Sequence, residues 1–145
     1  MKNNILINSG IIILPIIIGV IIYVLFYPRT ILFNNFLFGV FSETEFFRSR
    51  LLDLTMKLDS FYIHSIPTSL WAFSYMYTQS IILFPNFKLR LNKFLLFLNI
   101  FIILAIEIFQ KENIKIIPGT FDGADLLLNV LAIVLAISLY FYLKK

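Results

Sequence analysis

From Ile5 to Tyr27 the chain reads ILINSGIIILPIIIGVIIYVLFY, 23 residues without a charge. A run of that length covers a hydrocarbon core, which needs about 20 apolar residues. Three further runs follow, at about 66–84, 92–110 and 125–143. Such a pattern leaves few alternatives to helices in a bilayer, where every backbone polar group must be satisfied inside its own segment. Composition agrees: 60% of the residues are hydrophobic and 14% charged, against roughly half and about a quarter in soluble domains. The expected fold is an all-α membrane protein, one membrane domain over residues 1–145 with four transmembrane helices, the first over about 5–27.

Two of the spans need comment. The first exceeds the roughly 7–15 residues of a signal-peptide core, no small-x-small cleavage site follows, and Pro28-Arg29 ends it. It reads as a retained anchor, with Pro15 and Gly19 tolerated where neighbouring helices re-satisfy the backbone and a small residue permits close approach. The third is short, from Phe94 to Phe109, so its helix takes in Asn92, Lys93 and Gln110, with Lys93 snorkelling to the interface.

Between the first two spans, Ser42-Glu43-Thr44-Glu45 has the form of a capping box, and Phe47, Leu51, Leu54 and Leu58 recur at helical spacing behind it. This predicts an amphipathic helix over about 43–58 lying in the interface.

With four spans, the N-terminus, the 85–93 loop and the C-terminus share one side. Lysines and arginines are equally divided, six per side. The loop PNFKLRLNK nevertheless concentrates three cations without an acid, whereas the eight Asp and Glu residues lie on or near the opposite side. The positive-inside rule then places both termini in the cytoplasm. Because the cations flank apolar runs instead of forming a stripe, no nucleic-acid partner is expected. The absence of cysteine excludes disulfides and thiol nucleophiles. His64 is the one histidine, so neither a metal centre nor a cofactor is expected.

The polar residues that remain are concentrated on the outward side. Glu107 and Gln110 share one face of the last turn of the third span; Asp125 and Asn129 share one face of the first turns of the fourth. Pro118-Gly119 between them suits a type II turn. Antiparallel neighbours would bring all four side chains to one depth, and Asp59 and His64 enter the second span at a similar level. Arg48 and Arg50, on the interfacial helix, are suited to pairing with these acids or with an anionic ligand. The same residues also have plainer readings. Asp122 and Asp125 fit the N-cap and N3 positions of the last helix, Gln110 and Asn129 fit interhelical hydrogen bonding, and Gln79 with Asn99 fits a mutual hydrogen bond.

The order E-x-x-Q, a loop with a turn glycine, then D-L-L-L-N opening the final span resembles the VanZ-like family of small bacterial membrane proteins, carried here by Glu107, Gln110, Gly119, Asp125 and Asn129. Asp59 and His64 are similar to that family's acidic-plus-histidine entry into a span. The likeness covers roughly residues 55 to 143. Thr120 stands where the family often has arginine, and Ala132 where it often has glycine. The resemblance implies a multi-pass protein of the bacterial cytoplasmic membrane, an envelope setting and a link to glycopeptide resistance.

The expected function is therefore an outward polar pocket formed by Glu107, Gln110, Asp125, Asn129, His64, Asp59, Arg48 and Arg50. Its partners would be the bilayer itself and a lipid headgroup, glycan, peptide-like envelope precursor or membrane protein. The alternatives are a structural subunit of a larger membrane complex and a lipid-modifying enzyme. Two carboxylates beside a histidine suit acid–base work, but no nucleophile is evident and no catalytic residue is assigned.

Overall fold

The computed structural model describes residues 2–26, 60–111 and 123–144. They form four α-helices: α1, Lys2–Phe26; α2, Ser60–Leu83; α3, Arg90–Lys111; and α4, Gly123–Lys144. A 3-10 turn, Phe84–Asn86, follows α2, and no strand occurs among the described residues. The interfacial helix expected over about 43–58 and the Pro118-Gly119 turn lie outside them.

Each expected run is helical, and every helix starts earlier than expected. The largest difference is in α2, which begins at Ser60 instead of 66 and carries Pro67 in its interior. Proline removes one N–H from the helical ladder. Beside it, the hydroxyls of Thr68 and Ser69 donate to the carbonyls of Ser65 and Ile66 at 2.9 and 2.8 Å.

The shortest of the four helices has 22 residues, about 33 Å at 1.5 Å per residue, against a hydrocarbon core of about 30 Å. Two of them, α1 over Ile5–Ile22 and α4 over Gly123–Lys144, are long and apolar enough to cross a membrane, with mean hydropathies of 2.8 and 2.4. Only 6% and 28% of those stretches are buried. A core helix of a soluble protein would be mostly buried. Here the outer faces carry Ile13, Leu14 and Ile17 on α1 and Leu127, Val134 and Leu135 on α4, all exposed.

Three sets of contacts fix the topology. Tyr77 on α2 donates to Asn8 Oδ1 on α1 at 2.8 Å, while Gly19 faces Trp71 and the Pro67 carbonyl, so α1 and α2 are antiparallel. On α3, Asn99 accepts from Tyr75 at 2.5 Å and donates to Gln79 at 3.3 Å, and Asn92 donates to the Leu83 carbonyl at 3.1 Å; α2 and α3 are antiparallel too. The Asn99–Gln79 bond is the one the sequence leads one to expect. Finally, Phe84 stacks on Tyr140 at 5.2 Å, which makes α4 parallel to α2.

The central helix is α2, packed most extensively on α4 and α1 and more lightly on α3. Ser65, Ala72, Met76 and Leu83 form one buried row on it. Asp125, Asn129, Ala132, Ala136 and Tyr140 form another on α4, both at the 3–4 residue spacing of a single helix face. Met76, Tyr77, Leu83, Leu96, Ile133, Ala136 and Tyr140 make the core cluster. Small residues recur where α2 and α4 meet, as expected where association depends on backbones approaching closely. The buried serines of the central helix mostly satisfy themselves: Ser74 donates to the Leu70 carbonyl at 3.1 Å and Ser80 to that of Met76 at 2.8 Å.

Candidate functional site

The register of these pairs places the polar residues along the bundle. Stepping back from the Phe84–Tyr140 stack at 1.5 Å per residue brings Asp125 level with about Ser69, and Ser65 about one turn further out. Extending the Asn99–Gln79 and Asn92–Leu83 pairs in the same way puts position 107 on α3 at about the height of Ser69, and position 110 near Ile66. The backbone positions of Glu107 and Asp125 therefore fall at one level, at the end of the bundle where α2 and α4 start and α3 finishes. Positions 107 and 110 also continue at helical spacing the row Asn92, Leu96, Asn99 and Ile103, all buried or half-buried. Nothing is described of the Glu107, Gln110 and His64 side chains. Asp59, Arg48 and Arg50 lie outside the described residues, as does Asp122.

The two polar side chains of α4 are enclosed. Asp125 is 6% exposed and Asn129 3%. Gly123 opens the helix, so Asp125 sits in the first turn, where the helix dipole favours a carboxylate. That attraction is worth about 0.3–1 kcal/mol, less than the several kcal/mol of removing an ion from water. Compensation should come from hydrogen bonds, yet Asp125 Oδ1 meets no partner among the described residues.

Across the α2–α4 contact stands a second group of the same kind. Ser65 is fully buried, on the row that carries Met76 and Leu83 toward α4, and its Oγ also has no partner among the described residues. Sequence reasoning missed Ser65. Its signal is faint, a row of small residues at 65, 69 and 72 at the spacing of one helix face. Asp125, Asn129 and Ser65 thus place one carboxylate, one amide and one hydroxyl within about a turn or two of each other. Such a set accepts hydrogen bonds from a donor-bearing group. Among the described residues no three His, Cys, Asp or Glu side chains converge as a metal ion requires.

The opposite end of the bundle has a different character. Lys88, Arg90, Lys93 and Lys144 are all exposed there. The ammonium of Lys93 lies 5.8 Å from the Phe87 ring centroid, and that of Lys144 lies 5.3 Å from that of Tyr140. The aromatic residues Phe84, Phe87, Tyr140 and Phe141 cluster with centroids 4.8–5.4 Å apart. Asn92 locks the turn at this end, giving one amide N–H to the Leu83 carbonyl and another to that of Asn86, each at 3.1 Å. Among the side chains described, the exposed cations therefore sit at one end and the buried carboxylate at the other. No protein-family model, curated protein or solved structure matches the chain.

Proposed function

We propose that this chain is a multi-pass membrane protein whose four helices cross the bilayer, and that the end carrying Asp125 forms a recognition pocket for a ligand rich in hydrogen-bond donors. The apolar outer faces of α1 and α4 and the lengths of α2 and α3 support the first part. The second rests on one observation, the enclosed Asp125 carboxylate, whose Oδ1 has no partner among the described residues, about a turn along the bundle from the Ser65 hydroxyl, which has none among them either. A sequence under selection for stability alone would replace such a pair with apolar residues. Its chemistry suits an ammonium headgroup, a sugar hydroxyl or a peptide N–H. Glu107 and Gln110, at the same height on α3, extend the acceptor set in this reading. The likeness to the VanZ-like family supplies the envelope setting, with glycopeptide resistance as the phenotype to assay.

For orientation the support is the acid-free 85–93 loop with its three cations, since lysines and arginines are otherwise equally divided between the two sides. The Lys88, Arg90, Lys93 and Lys144 end is cytoplasmic, with both termini, and the Asp125 end faces outward. The chain has no cysteine, so single substitutions report cleanly. Lys88→Cys is expected to react with a membrane-impermeant maleimide only after the cells are opened, and Gly119→Cys in intact cells. The reverse labelling would overturn the outward pocket.

Ligand recognition is tested with Asp125→Leu. Without ligand its melting temperature is expected to equal or exceed that of wild type by a few degrees, since a buried carboxylate with one oxygen unpartnered among the described residues is removed at the cost of about 0.3–1 kcal/mol of dipole interaction. Phosphatidylethanolamine, N-acetylglucosamine oligomers and short peptides are then titrated into both proteins. At least one is expected to raise the melting temperature of wild type and leave Asp125→Leu unmoved. A variant that responds to every probe as wild type does would end the proposal.

A further inference from the structure

We infer a second binding site, at the cationic end, for a phosphate ester carried as the headgroup of an anionic amphiphile. Between the N-terminal part of α1 and the C-terminal parts of α2 and α4 lies a cavity of about 290 Å³, with Asn8, Tyr77, Tyr140 and Lys144 as its polar lining and Ile7 and Leu143 among its apolar walls. Its residues come from three helices, and Asn8 and Tyr77 are 69 positions apart in the chain.

Hydrogen-bond accounting identifies what the cavity takes. Lys144 Nζ donates to Tyr140 Oη at 2.9 Å. An ammonium has three N–H groups, so two remain, and the Tyr140 O–H, whose oxygen is already used as an acceptor, is left to donate elsewhere. Tyr77 Oη donates to Asn8 Oδ1 at 2.8 Å, which leaves the two N–H bonds of the Asn8 amide. Turning that amide over gives the same total: one amide N–H would then bond Tyr77 Oη, leaving the other N–H and the Tyr77 O–H. Among the described residues no carboxylate lines the cavity. A surplus of donors, one of them cationic, with no acidic side chain beside them among the described residues, matches the three or more acceptor oxygens of a phosphate ester.

The walls indicate how that group is carried. Ile7 and Leu143 are 51% and 42% exposed, on the outer faces of helices read here as lying in lipid, so an acyl chain leaving the cavity meets apolar surface. This site shares no residue with the Asp125 end and rests only on the membrane reading of α1 and α4.

The test uses the purified full-length chain in a neutral detergent, with native mass spectrometry counting retained lipid. Wild type is expected to keep one phosphatidylglycerol in preference to phosphatidylcholine. Tyr140→Phe with Lys144→Gln removes two bonds to an anionic acceptor, one from a hydroxyl and one from an ammonium, and is expected to weaken retention about tenfold or more. Tyr140→Phe alone keeps the ring on Phe84 and serves if the double variant fails to fold; a several-fold loss is expected. Lys88→Gln, an exposed cation at the same end that does not line the cavity, is expected to change nothing. Asp125→Leu is expected to leave retention intact, which separates this site from the first. Added inorganic phosphate distinguishes the source of the ester. Competitive displacement at millimolar concentration means the cavity reads phosphate alone, and no displacement means that it needs the lipid. Undiminished retention in the double variant, or an equal loss in Lys88→Gln, would overturn the proposal.

Discussion

Replacing Ala136 with leucine is expected to lower the melting temperature of the detergent-solubilised protein by roughly 4–12 °C, the consequence of about 1–3 kcal/mol of overpacking. Ala136 is fully buried, on the α4 row that meets Met76 and Leu83 of the central helix. Between helices in lipid there is little hydrophobic driving force, so the contact depends on dense packing of small residues. Three added carbons have nowhere to go without pushing α4 away from α2. The neighbouring Leu135 is 61% exposed, and Leu135→Ala is expected to stay within about 0.5 kcal/mol of wild type, as surface substitutions do. Equal melting temperatures for wild type and Ala136→Leu would mean that α2 and α4 do not pack along this row.

How much of this arrangement was legible in the sequence depends on which force set each feature. The helices were legible because apolar run length sets them: α1, α3 and α4 appear where Ile5–Tyr27, 92–110 and 125–143 predict them. The start of α2 was not. The apolar run begins only at about 66, and the helix continues back to Ser60 through Pro67 and the polar residues before it. That α2 occupies the centre was also hidden, since apolar run length says nothing of which helix the others surround, and its serines and threonines carry no signal for it. They are instead the small, self-satisfied residues that let two helices approach it.

The site divides in the same way. Asp125 and Asn129 were legible because a polar pair four apart at the start of an apolar helix has few places to go, and both are enclosed. Ser65 was not, because a serine among serines carries no signal until its partner helix is known. The Asn8–Tyr77 and Tyr140–Lys144 pairs escaped for another reason. Tyrosines in a chain with 7 Tyr and 17 Phe read as interfacial filler, and only the antiparallel register of α1 on α2 joins Asn8 to Tyr77.

That register depends on one glycine, and Gly19→Leu is expected to separate α1 from the bundle. A β-carbon at position 19 would lie 2.6 Å from Trp71 Nε1, 3.0 Å from its Cδ1 and 3.5 Å from the Pro67 carbonyl oxygen. The indole is 44% exposed, so the single carbon of Gly19→Ala can be met by swinging the ring, at a cost of about 1 kcal/mol. Leucine adds three more carbons between the ring and a backbone carbonyl that cannot move, and about 3 kcal/mol or more is expected. Trp71 is the chain's one tryptophan, so its emission reports the event directly: a shifted maximum in Gly19→Leu, with a fall in melting temperature. Combining Gly19→Leu with Trp71→Ala removes the opposing ring and is expected to recover part of the loss, a coupling that two independent sites would not show. Because α1 also supplies Asn8 to the cationic cavity, its displacement is expected to abolish phosphatidylglycerol retention while leaving the Asp125 end, built on α2 and α4, able to bind. A Gly19→Leu protein with unaltered emission, stability and lipid retention would show that α1 does not pack on α2 at this point.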